Sequence, residues 1–280
     1  MPIDPGTINT VSAAGAGVYL AKESVDTFLG PTAEYLGDRL LKVVTKCDEN
    51  LCKVIAAGYR KLGGRINNRG GVPPRVLKHV IDEAQFCEDE LLAEYLGGIL
   101  AASRTEDGVD DRAVHYLSIL RNLSSYQIRF HYLCHVLFKR YFDGQDVPLT
   151  GYRGNHMIYI PYSVFIEALE IEGKNVIQIA DHCVNGLHQY KLIGSPYFYG
   201  SAEYLKKGCV TSQIKEAGMI VIPSDFGAEM FLWASGFTDM RSKELFHSTT
   251  VLGNSVIAIS DGCMPVTMVT NSPSPGVIFD

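Results

Sequence analysis

The segment from Val72 to Tyr141 constrains the fold more than any other part of the chain, because its helix starts and stops are legible residue by residue. Pro73 and Pro74 cannot extend a preceding helix, but they suit the first turn of a new one, where no backbone N–H is needed. Val76, Leu77, Val80, Ile81 and Ala84 then fall on one 3.6-residue face, which predicts a first amphipathic helix. Glu88, Asp89 and Glu90 place negative charge where a helix N-terminus favours it, and Leu92, Tyr95, Leu96 and Ile99 repeat behind them as a second helix. Gly97 and Gly98 interrupt that apolar run at a propensity cost of about 1 kcal/mol each, which fits a surface kept bare for another helix. Asp110 or Asp111 is placed to cap a third helix that turns Ala113, Val114, Leu117 and Leu120 inward. Ser124 and Gln127 stand at capping-box spacing, and a fourth helix runs from there towards Tyr141.

Upstream, Val11, Ala14, Gly15, Val18 and Val25 form a narrow stripe of small residues, closed by Gly30-Pro31. Leu36, Leu40, Val43, Cys47, Leu51, Val54, Gly58 and Leu62 then alternate steps of three and four, the seam of a long helix expected to pack lengthwise on a partner helix. Residues 1–142 thus read as an all-helical domain, and DGQDVPLTGYRGNH, residues 143–156, as a linker. Beyond it, Met157 to Pro161 reads as a strand, Ser163 to Glu170 and Asn175 to Gln189 as helices, and Gly218 to Pro223 as a strand feeding a helix that starts at Ser224 or Asp225 and ends at Gly236. The expected fold is therefore mainly α with a smaller α+β part: an N-terminal helical bundle followed by a winged-helix-like module over residues 157–280. Its tail from Thr249 carries β-branched runs broken by SDG and NSPSPG.

Several of these segments carry a resemblance. VPPRVLKHVIDEAQFCEDELLAEYLGGILAASRTEDGVDDR, the SSYQIR that follows, and the late run GMIVIPSDFGAEMFLWASG resemble the Abi-alpha family, bacterial proteins with a domain of unknown function associated with abortive infection of phage-infected cells. The similarity spans roughly Leu29 to Gly236 and includes no catalytic motif. It implies a role in phage defence and leaves the molecular activity open.

A formal net charge of -6 argues against a generally basic nucleic-acid binder and directs attention to local patches. Seven cysteines without a CxxC pair fit a reducing cytoplasm better than a disulfide framework, with small buried filler as their expected role. The uncharged stretch from Pro5 to Ala21 is weakly hydrophobic and shorter than a normal membrane span, so a packed or surface-lying helix is expected there.

Four sets of residues are candidates for chemistry or contact. His131 and His135 lie four apart on the fourth helix and share a face, as paired metal ligands must, but Tyr132 and Leu133 supply no HExxH glutamate. A third ligand would have to come from elsewhere, with His115 and Cys134 as candidates, and nothing in the spacing demands it. Arg129 and His135 match an Arg-x4-6-His spacing of HEPN-like ribonucleases, in which Arg holds a phosphate and His transfers a proton; six helical steps nevertheless turn the two side chains about 120° apart. Arg60, Lys61, Arg65, Arg69, Arg75 and Lys78 form a run with no acidic residue, followed by Asp82, Glu83, Glu88, Asp89, Glu90 and Glu94 with no basic one. The plainer reading is a solvated surface with local pairs. The sharper one makes Arg65, Arg69, Arg75 and Lys78 a binding loop for phosphate backbone or for the acidic interface Glu88, Asp89, Glu90 and Glu94 of a second copy.

Glu106, Asp107, Asp110 and Asp111 miss the ligand pattern of an EF-hand and are assigned to turn and cap duty. Trp233 is assigned to core packing, and the cluster Tyr190, Tyr197, Phe198, Tyr199 and Tyr204 to a protein-packing surface, since few cations are interleaved for stacking on bases. Together these point to a cytoplasmic phage-defence protein that works through association or sensing, forms a homo-oligomer, meets a protein partner or phage-derived trigger, and needs no cofactor. The alternatives are the ribonuclease using Arg129 and His135, and an effector that perturbs membranes through its first helix.

Overall fold

The computed structural model describes residues 49–87, 89–150, 155–209, 213–250, 252 and 256–268. The predicted small-residue helix over 11–25, the seam from Leu36 to Cys47, Glu88 and the tail beyond Met268 lie outside the described residues. The described chain is mainly helical with one four-stranded antiparallel sheet, and it divides into two compact units. One takes the chain up to Asn122 with Leu232–Met240 and Leu252–Val256; the other takes Leu123–Phe231, Arg241–Val251 and the chain from Ile257.

The first unit is built on helices α1 (Glu49–Leu62), α2 (Pro74–Ala84), α3 (Glu90–Ala102) and α4 (Ala113–Leu120). Pro74 opens α2, and Val76, Leu77, Val80 and Ala84 are its buried face, as the periodicity predicts. Asp89 caps α3, its Oδ1 accepting from the N–H groups of Leu91 and Leu92 at 2.8 and 3.1 Å. Helix α3 is buried nearly all round, so Leu91 rather than Leu92 lies deepest at its start. Gly97 and Gly98 are bare for the expected reason. A Cβ on Gly97 would sit 2.6 Å from the Val54 carbonyl oxygen and from the Ala57 Cβ of α1, and one on Gly98 would sit 1.7 Å from the Ala234 carbonyl oxygen.

One further detail meets expectation and one departs from it. The described part of the seam, Leu51, Val54, Gly58 and Leu62, is buried, and α1 packs on α3 of the same chain. Neither Asp110 nor Asp111 caps α4, which begins after Arg112 without a side-chain cap. Asp110 accepts from the Arg112 N–H and guanidinium instead, and Asp111 pairs with Arg75. Trp233 is buried as expected, its ring 5.1 Å from Tyr116 with the Arg112 guanidinium 5.5 Å above it.

The second unit holds α5 (Ser125–Phe142), β1 (Met157–Pro161), α6 (Tyr162–Leu169), α7 (Val176–Gln189), β2 (Phe198–Gly200), α8 (Ala202–Gly208), β3 (Gly218–Val221) and β4 (Met264–Val266), and α9 (Asp225–Ala234) begins in it. The capping box of α5 is present: Ser124 Oγ accepts from the Gln127 N–H and Gln127 Oε1 from the Ser124 N–H. Helix α5 packs on α6 and α7, with Phe130 and Phe165 in edge contact at 5.4 Å. The division between units therefore falls at Asn122, before α5, and not in the 143–156 stretch predicted as a linker. A hydrogen bond from the Gly144 N–H to the Phe246 carbonyl (2.7 Å) ties the first residues of that stretch to the second unit.

The sheet runs β2-β3-β1-β4, with Ile158 opposite Val221, Met157 opposite Val266, and Phe198 opposite Ile220. Every residue of β1 is buried, which is why it reads as a continuous apolar run rather than an alternating one. Met157, Tyr159, Ile220 and Ile222 pack on one side with Phe198, Ala202, Leu205 and Ile214. The short helix α8, capped by Ser201, carries Tyr204 of the aromatic cluster.

Candidate functional site

His131 and His135 project from the same face of α5 and are fully buried, their ring centroids 4.1 Å apart. His135 stacks on Phe231 of α9 at 5.3 Å, and its Nδ1 lies 2.8 Å from the His131 carbonyl oxygen. A carbonyl accepts, so Nδ1 carries the proton and Nε2 is a bare acceptor, buried without a hydrogen-bond partner. Burial penalises the imidazolium and pushes His135 down to about 4. Burial, reinforced by the neighbouring His135, holds His131 well below its usual value, against a hydrogen bond to the Gly227 backbone. Both rings are neutral near pH 7. No group of three or more His, Cys, Asp or Glu among the described residues is arranged to hold a metal, so the third ligand sought from His115 or Cys134 is not assembled there.

Arg129 points elsewhere. Its Nη1 donates to the Ala168 carbonyl at 3.3 Å and meets the Glu170 carboxylate at 2.9 Å, at the left-handed turn (Glu170 φ 55°) that ends α6. The guanidinium thus satisfies the C-terminus of α6, while His135 is enclosed around Phe231. The structure does not bring the two into one reaction site.

The basic and acidic runs meet within the first unit. Arg60 and Lys61 both pair with Glu94, and Lys61 Nζ also donates to the Glu94 and Ala234 carbonyls at 2.5 and 2.9 Å. Burial outweighs Glu94 and lowers the Lys61 pKa. Arg75 pairs with Asp111, Lys78 with Asp82 one turn on, and Arg121 with Glu83. Asp89 is occupied as the α3 cap and Glu90 is exposed. Of the four predicted loop cations, Arg65 and Arg69 alone remain at the loop itself. Arg65 Nη2 donates to the carbonyls of Lys61 (3.1 Å) and Gly236 (2.6 Å), and Arg69 is exposed.

Arg104 is the residue that sequence reasoning missed. It follows α3 and reaches back to the loop, donating to the Arg65 and Asn68 carbonyls at 3.2 and 2.7 Å. Burial and then the adjacent Arg65 guanidinium lower its pKa. Only the Gly70 position hints at this contact, because a Cβ there would come within 3.0 Å of the Arg104 guanidinium.

On α7, Asp181 Oδ1 accepts from the Tyr199 hydroxyl (2.5 Å) and the Asn185 amide (2.7 Å), and Asn185 Oδ1 accepts from the Tyr197 hydroxyl (2.8 Å). Tyr197 and Tyr199 of the aromatic cluster are therefore bound to α7. Ile177 stands 64% exposed on the same helix. Five free cysteines, Cys87, Cys134, Cys183, Cys209 and Cys263, are buried as expected of filler, and burial raises the pKa of each thiol; Cys52 departs from that reading by being disulfide-bonded. No helix among the described residues is long and apolar enough to cross a membrane. Comparison with protein-family models, with characterised proteins and with solved structures gives no match.

Proposed function

We propose that this chain is a phage-defence protein of the abortive-infection type that acts by association or sensing, not by catalysis, and that its second unit is a winged-helix-like recognition module. The defence role rests on the sequence resemblance to the Abi-alpha family. The observation that carries the non-catalytic reading is the separate employment of Arg129 and His135, one at the end of α6 and the other, neutral and buried, against Phe231.

The winged-helix reading is supported by chain order and strand order together. Helix α5, strand β1, helices α6 and α7, then β2 and β3 follow one another, and the strands lie β2-β3-β1, with α8 inserted where a wing would be. Helix α7 occupies the position of a recognition helix. It carries Asp181 and neither Lys nor Arg, so its ligand is better matched by a protein surface than by phosphate backbone. Exposed Ile177, with Gln178, His182 and Asn185, is the contact face on this reading. Self-association remains part of the proposal, but the described half of the α1 seam is already covered by α3 and lends it no support.

Phage plating on cells carrying folded variants tests this. Arg129→Ala and His135→Phe should retain protection, whereas Ile177→Asp should lose it. Loss of protection confined to the Arg129 and His135 variants, with RNA degradation in infected wild-type cells, would replace this reading with the ribonuclease. Failure of the wild type to protect against a broad phage panel would remove the defence role.

A further inference from the structure

The loop between α1 and α2 concentrates positive charge in a way that its own contacts do not use up. Residues Gly63–Asn67 form a 3-10 turn, and the chain from there to Gly71 is fastened by a pair of backbone hydrogen bonds between Gly71 and Thr105. That pairing brings Arg104 alongside, its Nη1 donating to the Arg65 carbonyl, so a second part-buried guanidinium is held close enough to Arg65 to feel its charge. Both Arg65 hydrogen bonds leave from a single nitrogen, Nη2, and end on backbone carbonyls. Its Nη1 and Nε are uncommitted, and no carboxylate pairs with it among the described residues. Arg69, four residues on, is exposed and likewise has no ion-pair partner among the described residues.

Two further features suit an anion. The surface over Gly63 and Gly64 is open, with nothing within 4 Å of where a Cβ would stand, so a ligand can approach the backbone closely. Asp107, in the loop that Gly71 pairs with, is turned onto Thr105 Oγ (2.8 Å) and the Val109 N–H (3.3 Å). Like charges fixed side by side repel, and a guanidinium fork matches the oxygens of a phosphate group better than those of most other anions. We propose that this loop binds a phosphate group, with Arg65 Nη1 and Nε and the Arg69 guanidinium taking its oxygens and Arg104 adding charge from behind. This site lies in the first unit and does not depend on the winged-helix reading.

The full chain, titrated calorimetrically with inorganic pyrophosphate, should bind one equivalent saturably. Arg69→Gln, an exposed substitution that leaves folding intact, should weaken binding roughly tenfold or more, the fold-change for one charge-assisted hydrogen bond. Arg65→Gln should weaken it further, and Lys78→Gln, which removes a cation already paired with Asp82, should change it little. Vesicles of neutral lipid with and without phosphatidic acid distinguish the source: capture by the acidic vesicles alone, lost in Arg69→Gln, assigns the phosphate to a lipid headgroup. Absence of saturable binding to both pyrophosphate and acidic vesicles, or binding undiminished by Arg69→Gln, would overturn the proposal.

Discussion

The second unit should lose stability on mild acidification, and His135 should account for a measurable share of that loss. In the folded chain burial holds this imidazole neutral down to about pH 4, whereas in the unfolded chain it takes a proton near pH 6.5. Between those values the unfolded state binds a proton that the folded state refuses, so stability is full above about pH 6.5, falls as pH drops, and levels off below about pH 4. At about 1.4 kcal/mol for each tenfold difference in proton affinity, the loss from His135 comes to about 3 kcal/mol. His131, shifted in the same direction, adds to it. His135→Phe tests the effect, because it keeps every carboxylate of the chain and removes this titration, together with the smaller contribution that His135 makes to holding His131 down. Phenylalanine preserves the stack on Phe231 and removes the buried Nε2 that has no partner, so at pH 7 the variant should lie within about 1 kcal/mol of wild type. The assay must report on α5 itself, since the only tryptophan, Trp233, belongs to the first unit. Amide hydrogen exchange of Ser125–Phe142 across the acid range does so. If wild type and His135→Phe lose protection in parallel, or if the His135 ring titrates near pH 6.5 in the folded protein, the reasoning is wrong.

Gly98→Ala should destabilise the first unit by more than about 2 kcal/mol, because the obstacle is the Ala234 backbone, which cannot rotate away; thermal melting beside the control Gly64→Ala, where space is open, should show the contrast. Arg129→Ala should cost about 1 kcal/mol in thermal melting, a modest figure because Glu170 is 73% exposed and its ion pair is screened by water. If the chain self-associates as proposed, light scattering at tens of micromolar, a rough scale for weak complexes, should show more than a monomer; a monodisperse monomer there would count against association.

Signals confined to one or two helical turns were legible in the sequence. The Ser124 and Gln127 box, the Pro74 start and the buried face of α2 each depend on residues within a few positions of one another, and each stands as the spacing implies. Gly97 and Gly98 announced a close approach, though not which backbone would make it. What the sequence hid was pairing at a distance. Helix α5 carries an apolar face that either unit could cover, and only its contacts with α6 and α7 assign it to the second. The charge runs show the same limit more sharply. Read along the chain, Arg65, Arg69, Arg75 and Lys78 are one basic stretch, but Asp82 is close enough in sequence to claim Lys78, and Asp111 claims Arg75 from thirty-six residues away. Arg104, also thirty-six residues from the Asn68 carbonyl it reaches, joins the loop from outside the run. Charge that is contiguous in sequence is thus sorted by folding into neutralised and unneutralised parts. The remainder that no ion pair neutralises among the described residues, Arg65 and Arg69, is where binding energy for an anion is available on the proposed reading, because there no ion pair among them has to be broken before the ligand is met.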